Sequence, residues 1–170
     1  MKTLKRAILF IPYAVYKLFR KWHEEYRYEI FRQTYKIAPS FRFNGWDILL
    51  YGDGQIDLGE DSYIGRSSSI QAGVDSFVRI GKRCAISHNV RIYTTTSLSD
   101  QDFSCLREIK SGDVIIEDDV WIGANVFINP GITIGHNSIV GANSVVTHDV
   151  PNWTIVGGVP ARVIRMKRIV

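Results

Sequence analysis

"VIIEDDVWIGANVFINPGITIGHNSIVGANSVV" runs from Val114 to Val146. A branched aliphatic residue returns at every sixth position: Ile116, Ile122, Ile128, Ile134, Val140 and Val146. Two residues before each stands a small or branched one: Val114, Val120, Val126, Ile132, Ser138 and Ser144. Gly123, Gly135 and Gly141 follow three of the register residues. An α-helix repeats near 3.6 residues and a strand at 2, so neither produces a step of six. Short flat strands joined by tight corners do. One side chain of each six points inward, a small one helps fill the wall, and glycine relaxes the corner. Three such strands close a triangular coil, and eighteen residues bring the chain back to the same corner.

Working toward the N-terminus, the step holds for Leu58, Ile64 and Ile70, then for Ile80, Ile86 and Ile92, with Gly59, Gly65 and Gly81 following. Four extra residues separate these two triplets. An eighteen-residue excess separates Ile92 from Ile116. The predicted fold is therefore all-β: a parallel β-helix of hexapeptide repeats with an N-terminal helical segment and an excursion loop. Its expected divisions are a helical segment over 1–36, a connecting segment over 37–56, the β-helix over 57–150 with the loop at 97–113, and a tail over 151–170. A β-sandwich would have to reproduce this spacing by coincidence.

The chain has 170 residues and a net charge of +4, suited to one folded domain with its own core. The charge is uneven. Residues 1–36 carry nine Lys or Arg against three Asp or Glu, and Arg162, Arg165, Lys167 and Arg168 make the other end basic. The middle is acidic. No basic stripe with interleaved aromatics runs through the body, so nucleic acid is not an expected partner. Two cysteines, Cys84 and Cys105, form no CxxC and no disulfide framework, which suits a reducing compartment.

The N-terminal "LKRAILFIPYAVYKLFRKW" is apolar with basic flanks. Its uncharged run, Ala7 to Tyr16, is half of the roughly 20 residues that a spanning helix needs. No small-x-small cleavage site follows, unlike a signal peptide. Aromatic and basic residues recur along it, as in helices lying in a membrane surface. Packing on a neighbouring subunit is the competing reading. Pro12 is expected to start or kink the helix.

Over Val114 to Arg165, and more loosely from Leu58, the chain resembles the hexapeptide-repeat acyltransferases, closest to the galactoside, maltose and bacterial polysaccharide O-acetyltransferases. "WIGANV", "IVGANSVV" and "GGVPARVIR" carry the likeness. The resemblance implies a left-handed β-helix and a homotrimer with sites between subunits. It implies acetyl-coenzyme A as acyl donor, no metal, and a sugar or glycan acceptor. It points to Trp121 beside the acyl group, Ala124 and Ala142 along the pantetheine arm, and Thr147, Arg162 and Arg165 toward the rest of the coenzyme. Arginine suits phosphate through its forked donors. Asp75, Ser67 and Arg66 are expected on the acceptor side. The resulting expectation is a cytoplasmic enzyme at the inner membrane face, acetylating a sugar hydroxyl during surface-polysaccharide synthesis.

Counting corners stacks Arg66, His88, Ala124 and Ala142 in one column. His88 falls one coil below the two alanines, toward the thiol end of the arm. Transfer to a hydroxyl needs a proton acceptor, and imidazole titrates near neutrality, so His88 is the candidate general base. The relatives place their catalytic histidine at the start of the excess loop, where this chain has Ser97. The alternatives are acetylation of an amino sugar or small xenobiotic, a zinc lyase, and a catalytically silent scaffold. A zinc site needs three convergent histidines, but His88, His136 and His148 fall on three different corners by the register count.

Overall fold

The structure is a computed structural model that describes residues 2–168, with side chains from residue 12 onward. It divides into two compact units, residues 1–34 and 35–170.

The first unit is one α-helix, Lys2–Thr34, with Pro12 inside it. Pro12 therefore does not start the helix. Val15, Phe19, Trp22, Tyr26 and Ile30 are exposed, and their spacing of three and four residues gathers them on one stripe. Trp22 and Tyr26 stack with ring centroids 6.0 Å apart. The side chains of the apolar run between residues 7 and 11 lie outside the described residues. No helix among the described residues is long and apolar enough to cross a membrane.

The second unit is a three-sided parallel solenoid, consistent with the expected left-handed β-helix. The first side stacks five strands: Lys36–Ile37, Gln55–Leu58, Phe77–Ile80, Val114–Ile116 and Thr133–Ile134. The second stacks Arg42–Asn44, Tyr63–Gly65, Ala85–Ile86, Trp121–Ile122, Ile139–Val140 and Thr154–Gly158, and ends with Ala161–Met166 running antiparallel. The third stacks Leu49–Tyr51, Ser69–Gln71, Arg91–Tyr93, Phe127–Ile128 and Val145–Val146. Residues 37–56, expected as a connector, thus complete the first coil, with Phe41, Ile48 and Leu50 buried. The sequence period hides this coil because its register steps, Ile37 to Phe43 to Leu50 to Leu58, lengthen from six to seven to eight. The described part of the tail is likewise not free. Thr154–Gly158 pairs with Ile139–Val140 on the second side.

Every register residue from Leu58 to Val146 is buried, as is each residue two before it. Four of those inner positions are Ser62, Ser68, Ser138 and Ser144, whose hydroxyls bond to neighbouring coils. Ser62 Oγ donates to Gly81 O at 2.7 Å and accepts from Cys84 N at 2.8 Å. A buried hydroxyl is tolerated because it is satisfied.

The glycines that follow the register residues do not supply the left-handed turn. Positive φ falls two residues later, at Asp61, Ser67, Arg83, Asn125, Asn137 and Asn143, and Asp and Asn tolerate that region well. The glycines are required for space instead. A Cβ on Gly65 would sit 2.6 Å from His88 N, and one on Gly123 2.5 Å from Ala142 N.

The corner between the first and second sides is braced by charge. Arg83 donates to both Asp119 oxygens, at 2.6 and 2.7 Å, and holds that carboxyl below its ordinary range. The third corner, between the third and first sides, carries the excursion. Thr95–Ser97 and Ile109–Ser111 pair as an antiparallel hairpin. The Gln101 amide donates to Leu98 O and Glu108 O at 2.7 and 3.0 Å and closes its neck. Leu106 at its far end is 97% exposed.

Two outcomes follow from this packing. Ile122→Ala removes a fully buried wall residue and should lower unfolding free energy by roughly 2–5 kcal/mol in a urea titration. Asp119 has a lowered folded pKa, so its contribution is present above the unfolded carboxylate pKa and is lost as pH falls through the folded value. Arg83→Gln should therefore lower Tm slightly at pH 7, with the difference from the parent closing as the pH drops below about 4.

Candidate active site

The corner between the second and third sides holds the column expected from the sequence. Asn89 N donates to Arg66 O at 2.9 Å, Asn125 N to His88 O at 3.1 Å, and Asn143 N to Ala124 O at 2.9 Å. Arg66, His88, Ala124 and Ala142 therefore occupy equivalent positions on successive coils. Trp46 extends the column one coil lower, since Ser67 N donates to Trp46 O at 2.9 Å.

Beside the column runs a second one that sequence reasoning overlooked. Asp47, Ser67, Asn89, Asn125 and Asn143 all adopt φ between +57° and +59°. Asn89 Nδ2 donates to Asn125 Oδ1 at 2.8 Å, and Asn125 Nδ2 to Asn143 Oδ1 at 2.9 Å. This amide ladder fixes the peptides on which His88, Ala124 and Ala142 ride. The recurring asparagine in "SHNV", "GANV" and "GANS" was the available signal.

His88 is exposed and lines a groove of about 260 Å³ with Trp46, Arg66, Ser67 and Asn89. The Arg66 guanidinium lies over the Trp46 ring, 5.7 Å from its centroid. Gly65 lets the coil below approach the His88 peptide, and Ser87 replaces the glycine that other corners use.

The other expected residues are dispersed. Trp121 is 52% exposed on the second side, paired with Ala85 and Ile139. Asp75 is exposed at the third corner, with φ of +56°. Thr147 is also there, its Oγ1 2.9 Å from His148 Nδ1. Ser97, at the position the resemblance matched to a catalytic histidine, is exposed at the base of the hairpin on that same corner. Arg162 joins His148 and Asp149 in a separate groove of about 270 Å³ at the top of the coil. Arg165 sits opposite Ile155 on the last strand. The chain thus gathers Arg66, Ser67, His88, Ala124 and Ala142 on one corner, while Asp75 and Thr147 occupy a different one. His88, His136 and His148 stand on three corners and do not converge.

A family model described as "hexapeptide repeat of succinyl-transferase" matches residues 113–148. A hexapeptide-repeat-containing acetyltransferase of Vibrio cholerae, solved with acetyl-coenzyme A, is 32% identical with a TM-score of 0.71, over 86% of this chain and 79% of that one. A maltose O-acetyltransferase from Clostridium difficile is 33% identical with a TM-score of 0.68, over 85% and 76%. A galactoside acetyltransferase in complex with coenzyme A is 32% identical with a TM-score of 0.53, over 72% and 66%.

The two cysteines differ sharply. Cys84 is buried in the wall, and burial pushes its thiol up to about 11; Cys105 is exposed on the excursion hairpin. Ellman's reagent at pH 8 should titrate one thiol in the native protein and two in guanidinium. Two fast native thiols would contradict the packed wall.

Proposed function

This chain belongs to the hexapeptide-repeat acetyltransferases, and we propose that it transfers the acetyl group of acetyl-coenzyme A to a sugar hydroxyl with His88 as general base. The observation that carries this reading is the column itself. Two alanine corners leave backbone open for a narrow pantetheine arm, and the next corner down presents an imidazole beside a groove.

In the proposed step the acceptor oxygen attacks the thioester carbonyl as His88 takes its proton. The tetrahedral intermediate collapses, the carbon–sulfur bond breaks, and the imidazolium returns the proton to the departing thiolate. The products are an acetyl ester and free coenzyme A. Trp121 flanks the acetyl group, and Ala124 and Ala142 bound the arm. Arg162, Arg165 and Thr147 meet the phosphate and adenine end. Ser67, Arg66 and Asp75 face the acceptor.

Asp75 and Thr147 share the third corner with the hairpin, away from His88. A trimer whose neighbouring subunits juxtapose these two corners would unite the groups in one site, with the exposed Leu106 end of the hairpin reaching across. The exposed aromatic stripe of the N-terminal helix and the basic charge of residues 1–36 suit an anionic lipid surface. That placement fits a role in surface-polysaccharide synthesis at the inner membrane face, where lipid-linked glycans are built.

Calorimetric titration with acetyl-coenzyme A should give about one site per subunit. Arg162→Ala combined with Arg165→Ala should weaken it, and His88→Ala should leave it intact. With an accepting sugar, His88→Ala should lower kcat about 10²–10⁴-fold, read as thiol release. Unchanged turnover in His88→Ala would remove the histidine from the chemistry. Absence of acetyl-coenzyme A binding would remove the transferase reading.

A further inference from the structure

The groove beneath His88 does not end at the corner. Ser67 also lines a second cavity of about 340 Å³ on the outer face of the third side, with Leu49, Tyr51, Arg91 and Tyr93. The two cavities meet at Ser67, which lines both, and are treated together as one channel around that corner. Its floor is aromatic and apolar: Trp46 is 43% exposed and Tyr51 44%, and Tyr93 packs edge-on against Phe127 at 5.3 Å. Two guanidiniums serve it. Arg91 Nη1 donates to Ser67 O at 2.6 Å, and Arg66 is the residue just before that peptide. Neither arginine is ion-paired with a carboxylate among the described residues. Asp47 lines the same channel, yet neither guanidinium is within ion-pair distance of it.

The geometry points to an acceptor that carries its own anionic group, a carboxylate or a phosphate, held by Arg66 and Arg91 while a sugar ring lies on Trp46 or Tyr51. This rests on the acetyltransferase reading for its location and extends it to the substrate class. Aromatic faces suit the apolar side of a sugar ring, and arginine forks suit planar or tetrahedral oxyanions. A neutral acceptor would make no use of either guanidinium's charge. The channel begins at the His88 corner, so a hydroxyl on the ring bound there lies toward the imidazole.

The test is calorimetric and needs no acetyl transfer. Full-length protein with coenzyme A would be titrated with trigalacturonate, glucose 1-phosphate and maltotriose. At least one anionic probe should bind about tenfold or more tightly than maltotriose, and its affinity should fall with added salt. Whichever anion binds identifies carboxylate or phosphate. Arg66→Gln and Arg91→Gln should each weaken it about tenfold, with partial recovery in Arg91→Lys, and circular dichroism should confirm the fold of each variant. Equal affinity for maltotriose, or unchanged affinity in both glutamine variants, overturns the proposal. Acetyl-coenzyme A titrated separately into the parent protein reports on the transferase reading alone, so the two can fail independently.

Discussion

Hydrogen bonds between coils hold equivalent corners about one strand spacing apart, roughly 4.8 Å. That constraint turns a linear repeat into vertical columns. Residues eighteen or more apart in sequence become neighbours, and each column must satisfy the same geometry at every level. The wall follows from it: one inward aliphatic per strand, one smaller residue beside it, and glycine where the next coil's peptide leaves no space for a Cβ. The corners follow too. Asp and Asn recur where φ is positive, and at the second corner their amides bond from coil to coil.

A column of this kind also makes a surface of graded chemistry. Ala142 and Ala124 leave the upper part of the second corner smooth. His88, Arg66 and Trp46 make the lower part polar, charged and aromatic in turn. In the proposed reading, a long flexible donor laid along the column has its inert arm above and its reacting thioester below, beside His88. The rigid peptide ladder supplies positioning, and the side chains supply chemistry. Asp75 and Thr147 sit on another corner, so the proposed site would need a neighbouring subunit to be complete.

Much of this was legible in the sequence because a solenoid writes its geometry as a period. Twelve register residues from Leu58 to Val146 sit in the wall, and the Arg66–His88–Ala124–Ala142 column follows from counting alone. What the sequence concealed lay where the period stretches. The first coil was read as a connector because its insertions after Phe43 and Leu50 break the step of six. The role of the glycines was misjudged for a different reason. Period locates a corner but does not say whether a glycine there answers a dihedral or a close approach; the dihedral load falls on Asp and Asn two residues later. Asp75 and Thr147 were named through a resemblance, which transfers residues one at a time and carries no geometry, so their shared place at the third corner comes from the structure. Trp46 and Arg91 went unnoticed since neither stands in a motif.

The most direct test is a crystal structure of the protein with acetyl-coenzyme A, read at one distance. If the column organises catalysis, the pantetheine arm will lie against Ala142 and Ala124, with its thioester within about 4 Å of the His88 imidazole, close to a near-attack separation. An arm that leaves the column above His88, or a thioester seated at the third corner beside Ser97 and Asp75 with His88 turned to solvent, would contradict it.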